Sequence, residues 1–124
     1  MTARVAAANL RLKRAYEATE PGDGVRILVD RLWPRGVSKA AARLDRWMKD
    51  IAPSTGLRQW FGHDPKRWPE FRRRYVGELK EHAALLREII SAARRGVVTL
   101  VYSAHDEIHN DAVALRNVLL GRRG

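Results

Sequence analysis

The sequence predicts a small α/β domain, with a short, mostly parallel sheet of about three strands flanked by helices. Two runs carry that reading. Val25 to Trp33 and Val97 to Tyr102 are nearly continuous apolar or β-branched segments, the pattern of strands covered on both faces. Between them lie stripes of apolar residues at helical spacing. Two buried strands joined through helices imply adjacent parallel strands with a right-handed crossover. The 124 residues suit one domain, 1–124, with residues 1–9 and 121–124 as tails.

The elements follow in order. Asn9 to Tyr16 alternates imperfectly and reads as a short strand. Glu20-Pro21-Gly22-Asp23-Gly24 is a turn cluster before the first central strand, which Pro34 and Gly36 stop. Ser38 is placed to cap a helix running to about Ile51, because Leu44, Trp47, Met48 and Ile51 recur at helical spacing. Ser54 caps a short helix with Leu57, Trp60 and Phe61, closed by Gly62. Asp64-Pro65 starts the next helix, whose stripe is Trp68, Phe71, Tyr75 and Leu79, with Pro69 as a local conflict in its first turns. Leu85, Leu86, Ile89, Ile90 and Ala93 form a further stripe, and a break is expected near Glu81–Ala84. Arg94-Arg95-Gly96 ends it, with cations where they suit the helix dipole. After the second central strand, 103–110 is a polar loop, and 111 to about 120 is the last helix.

Composition excludes several classes of function. There is no cysteine, so disulfides, thiolate metal sites and cysteine nucleophiles are out. No apolar run approaches the ~20 residues of a membrane span, and the N-terminus lacks a basic start followed by an apolar stretch. The expectation is a cytoplasmic protein with no membrane contact. The chain is strongly basic: 24 Lys and Arg against 14 acids, a net charge of +10. That suits anionic ligands or nucleic acid. However, 19 of the 24 are Arg and they are spread from Arg4 to Arg123, so composition bias explains them as well as phosphate binding does.

Ligands in open α/β sheets sit beyond the carboxyl ends of the strands. Here one end supplies Asp30, Arg31, Trp33 and Arg35, with Ser38 opening a helix, a cationic loop suited to an anion. The other supplies Ser103, His105, Asp106, His109 and Asn110, suited to proton transfer. His105, Asp106 and His109 are the acid–base candidates. Asp30, Arg31, Trp33, Arg35, Ser38, His63, Ser103 and Asn110 are the ligand-binding ones. Structural readings stand beside them: Asp30 in an ion pair with Arg31 or Arg35, Trp33 in the core, Asn110 or Asp111 capping the last helix. His105 and His109 are four apart, but zinc is not expected. The intervening residues do not match a His-Glu-x-x-His site, and no third ligand is evident beyond His63, Asp64 or a nearby acid. Ser103 has no nucleophile elbow, and there is no glycine-rich phosphate loop. No cofactor is implied.

Several segments together resemble a known family. Val29-Asp30-Arg31-Leu32-Trp33-Pro34-Arg35-Gly36 is similar to the signature of the YeaO-like proteins, called domain of unknown function 488. So are Ala52-Pro53-Ser54, Leu57-Arg58-x-Trp60-Phe61-x-His63-Asp64 and Phe71-x-x-Arg74-Tyr75. The run from Val98 through Ser103-Ala104-x-Asp106-x-x-His109-Asn110-x-Ala112 completes the match, which spans about Leu12 to Leu119. The resemblance implies a small bacterial cytoplasmic protein of a family without an established reaction. Wider relatives resemble Cys-His-Arg where this chain has His109-Asn110, so thiol chemistry does not carry over. The methyltransferase label that sometimes accompanies the family finds no cofactor loop here. The reading is a protein that binds an anionic small molecule, a phosphate ester or nucleotide, with an acid–base site. The alternative is a non-enzymatic nucleic-acid-binding or regulatory module using the basic surface.

Overall fold

The computed structural model describes residues 5–122. Among these, four parallel strands form one sheet in the order β1-β4-β2-β3: β1 Leu10–Arg14, β2 Val25–Leu28, β3 Arg46–Trp47 and β4 Val98–Tyr102. The expected pair is adjacent and parallel, with Val25 opposite Val98 and Leu28 opposite Val101. β4 also pairs with β1 along its whole length. Its five residues are all buried, as a strand enclosed on both edges and both faces must be. Gly24 admits β2 to this position. Its φ is +62°, and a Cβ there would collide with the Val97 carbonyl oxygen.

The two faces of the sheet differ. One carries Leu10, Ile27, Val29, Val98, Leu100 and Tyr102 into the main core. Against it pack α2 Thr55–Phe61, α3 Trp68–Leu79, α4 Ala83–Arg95 and α5 Asp111–Leu119. The break expected near Glu81–Ala84 is a 3-10 turn, Lys80–His82, between α3 and α4. Pro69 sits in the first turn of α3, where a missing N–H costs no intrahelical bond. Down α3, Phe71 stacks on Phe61 with centroids 4.3 Å apart, and on Trp68 and Tyr75 at 5.6 and 5.8 Å.

The other face is polar at its centre. Lys13 from β1 and Arg26 from β2 converge on Asp23, at 2.8 and 2.7 Å. Lys13 also meets Glu20 at 2.7 Å, and Thr99 donates to the Asp23 carbonyl. Beside this cluster Ala15, Leu28 and Val101 pack under Trp33, Leu44 and Trp47.

The helix expected from Ser38 to Ile51 is instead three short pieces. α1 spans Lys39–Ala42 and stops at Arg43, whose φ is +46°. Arg46–Trp47 becomes the edge strand β3, and Lys49–Ile51 a 3-10 turn. The open edge of β2 decides the matter. Asp45 N–H donates to the Arg26 carbonyl, Met48 N–H to that of Leu28, and the Asp45 carboxylate accepts the Arg26 N–H. A helix there would leave those β2 groups unpaired.

The run to Trp33 also departs from a strand after Leu28, with one further bond from the Val29 N–H to the Val101 carbonyl. Pairing ends, the chain bends at Asp30, and Trp33 turns onto Trp47. Of the expected tails, residues 1–4 and 123–124 lie outside the described residues. Val5 packs on the core, Ala7–Asn9 form a 3-10 turn, and Arg122 N–H donates to the Asn117 carbonyl.

Candidate functional site

A cavity of about 190 Å³ opens beyond the carboxyl ends of β2 and β4. Asp30, one residue past Val29, ties the two strand ends together. Its Oδ2 accepts the Ser103 N–H at 2.9 Å and the Ser103 hydroxyl at 2.8 Å, and its carbonyl accepts the Trp47 indole N–H. No ion pair joins Asp30 to Arg31 or Arg35 among the described residues. Arg31 reaches across to the segment leading into α2. There its Nε and Nη2 donate to the Pro53 and Ala52 carbonyls, both at 3.3 Å. Arg58 of α2 and His63 also line the cavity, with Phe61 and Phe71 as apolar wall. His63 follows Gly62, and both are left-handed, with φ of +59° and +54°. Such a conformation is uncommon for a non-glycine residue, and it is what turns the chain back at the cavity mouth.

The last helix closes the site. Asn110, buried, is the N-cap: its Oδ1 accepts the Val113 N–H, and its Nδ2 donates to the Asp106 carbonyl. The capping role thus falls to Asn110, and Asp111 becomes the first helical residue, lining the cavity. Burial pushes the Asp111 carboxyl well above the usual range, and the adjacent Asp30 carboxylate, within hydrogen-bonding reach, pushes it further. Its conjugate proton is therefore held more tightly in the folded chain than in the unfolded one. That contribution to stability is present in acid and is lost as the pH rises from the ordinary Asp value toward the raised one.

The proposed acid–base residues lie on a neighbouring surface. Asp106 organises its own loop: Oδ1 accepts the N–H groups of Ile108 and His109, both at 2.9 Å, and Oδ2 meets His109 Nδ1 at 2.8 Å. The backbone donors foremost, then the imidazole, hold Asp106 at about 2. The His109 ring stands edge-on to Trp68, 5.4 Å away, and does not line the cavity. His105 is exposed, with Nδ1 3.4 Å from Arg14 Nη2.

The other residues expected at the site are dispersed too. Ser38 caps α1, Trp33 donates to the Val37 carbonyl, and Arg35 offers its carbonyl to the Tyr16 hydroxyl. Of the expected residues, Asp30, Arg31, His63, Ser103 and Asn110 are brought together, whereas Trp33, Arg35, Ser38, His105, Asp106 and His109 are not. Arg58 and Asp111 join the set without having been expected. For Asp111 the signal was present: of two adjacent cap-type residues only one can cap, leaving the other carboxyl free for the cavity.

Asp106→Asn is expected to lower the melting temperature at pH 7 and to make no difference near pH 2. A carboxylate held low stabilises the fold above its ordinary value of 3.8, and that contribution is lost as the pH falls toward about 2. Melting curves across pH 2–7 check it.

Many cations elsewhere are already neutralised. Arg46 pairs with Glu88, Arg67 with Asp64, and Arg73 and Arg74 with Glu70, while Arg67 and Arg74 both lie over the Trp60 ring. Among the described residues no group of three or more His, Asp or Glu is placed to hold a metal, and no helix is long and apolar enough to cross a membrane.

The chain is similar to small bacterial proteins over nearly its full length. It is 43% identical over 113 residues to an uncharacterised protein of Mycobacterium tuberculosis, covering 91% of this chain and 95% of that one. It is 41% identical over 111 residues to the uncharacterised protein YeaO of Escherichia coli, covering 90% and 96%. No solved structure matches it significantly. The family described as "Inactive DUF488-N3 subclade" matches residues 9–123. That span contains every strand and helix of the fold and all the residues of the cavity, and the chain belongs to this YeaO-like DUF488 family.

Proposed function

We propose that the protein binds a small anionic molecule, a phosphate ester, in the cavity at the ends of β2 and β4, and that it does so without turning it over. One observation carries this reading: the cavity gathers two guanidinium side chains, Arg31 and Arg58, with His63 at its mouth. A guanidinium presents a planar fork suited to phosphate oxygens, and Arg31 is anchored through two of its nitrogens before any ligand arrives. Binding without turnover rests on the placement of the imidazoles. His109 is tied to Asp106 and Trp68, His105 lies by Arg14, and neither lines the cavity. The description of the family as inactive agrees with it.

The test is calorimetric titration of wild type, Arg31→Ala and Arg58→Ala with propyl phosphate. Arg87→Ala, exposed on α4, is the control. Each cavity variant is expected to bind roughly tenfold to a hundredfold more weakly, the worth of a hydrogen bond to a charged group, with Arg87→Ala unchanged. Duplex DNA in the same assay should bind weakly and lose its affinity at moderate salt. Equal affinity in all four proteins, or tight DNA binding at physiological salt, contradicts the proposal.

A further inference from the structure

We propose that the ligand is a phosphorylated polyol, with its phosphate on the Arg31–Arg58 side of the cavity and its hydroxyl groups on the Asp30, Ser103 and Asp111 floor. This rests on the anion-binding reading and narrows it. The cavity is divided by charge. Arg31, tethered to Ala52 and Pro53, and Arg58 belong to the α2 side. Asp30, Ser103 and Asp111 belong to the strand ends and the start of α5. A bare anion would gain from the first side and be repelled by the second. A bare cation would meet the reverse. The ligand that uses both has an anionic end and an uncharged or cationic polar end.

The carboxyl pair selects the uncharged one. Asp30 and Asp111 both line this floor, and burial, with the neighbouring Asp30 carboxylate, raises the Asp111 carboxyl well above its ordinary range and so favours its protonated form. One Asp30 oxygen is already occupied by the two Ser103 donors. What faces the cavity is a mixed set of acceptors and a donor. A hydroxyl group both donates and accepts and matches that set, whereas an ammonium has donors only.

The volume of about 190 Å³ is that of about six waters. It suits a short phosphorylated polyol, with any larger attached group outside.

The experiment titrates wild type at pH 7 with inorganic phosphate, propyl phosphate, 3-aminopropyl phosphate, glycerol 3-phosphate and ribose 5-phosphate. Glycerol 3-phosphate and ribose 5-phosphate are expected to bind at least tenfold more tightly than the other three. Asp30→Asn should bring the ratio of glycerol 3-phosphate to propyl phosphate affinity down toward one. Asp111→Asn places an amide donor where the Asp111 proton sits. It should therefore keep the preference at pH 7 and lose affinity less steeply than wild type as the pH is raised.

If Asp30→Asn does not fold, the pH profile of Asp111→Asn decides. A profile as steep as wild type overturns the proposal. Equal affinity for all five probes, abolished by Arg31→Ala, overturns it while leaving the anion site standing, and so does tightest binding of 3-aminopropyl phosphate. Failure of every probe overturns both.

Discussion

Replacing Asp23 by Ala is expected to destabilise the domain by about 3–5 kcal/mol, the usual consequence of removing one partner from a buried ion pair. Asp23 is 1% exposed and stands between two cations whose side chains are themselves only 10% and 5% exposed, Lys13 and Arg26. Burial by itself would raise the Asp23 carboxyl, but the Lys13 ammonium, the Glu20 N–H and the Arg26 guanidinium outweigh it and hold the group ionised, below its ordinary value. Its loss leaves two charges facing each other on the covered face of the sheet. Lys13 keeps Glu20 and the Ala18 carbonyl, and Arg26 keeps the Ala42 carbonyl. Urea unfolding of the variant measures the effect. A loss below about 1 kcal/mol would class the cluster with surface pairs.

Phe71→Ala is expected to cost a similar amount, about 3–5 kcal/mol, by lost burial and the void left behind. Phe71 is fully buried and lies at the centre of the ring stack, touching Phe61, Trp68 and Tyr75. It differs from other core residues in also walling the cavity. The substitution should therefore weaken propyl phosphate binding as well as stability. Phe71→Leu, which keeps most of the volume, should recover most of both. Thermal melting and calorimetry on the two variants check this.

The central pair of strands was legible because covering both faces of a parallel strand demands an unbroken apolar run, and Val97 to Tyr102 has little other use. The cap of the short helix was legible for the same kind of reason, because Ser54 meets a local need of the backbone, and the cap of the last helix was legible down to Asn110 or Asp111. Arg46–Trp47 was not. Its apolar spacing suits a helix, and only the unpaired edge of β2, brought there by the tertiary fold, makes it a strand. In the same way Arg58 gave no sign of its destination, and Asp111 gave only the sign that two adjacent cap-type residues cannot both cap. The cavity draws on the ends of β2 and β4 and on α2, α3 and α5, and the residues meet through packing at distant points of the chain. His105, Asp106 and His109 suggested acid–base chemistry by type. The loop instead spends Asp106 on two backbone N–H groups, which fix His109 against Trp68.

Two groups stand out in the basic composition. Some cations are neutralised in pairs, inside the fold at Asp23 and outside it along α3, and two are gathered at the cavity. The account depends on the second group being where an anion binds. Amide chemical-shift mapping with propyl phosphate, on the full chain at pH 7, tests that most directly. The expected result is saturable shifts confined to Asp30 and Arg31, Ala52, residues 58–63, Ser103 and Ala104, and Asn110 and Asp111. Shifts spread over the exposed arginines of α3 and α4, with the cavity residues unmoved, would contradict it.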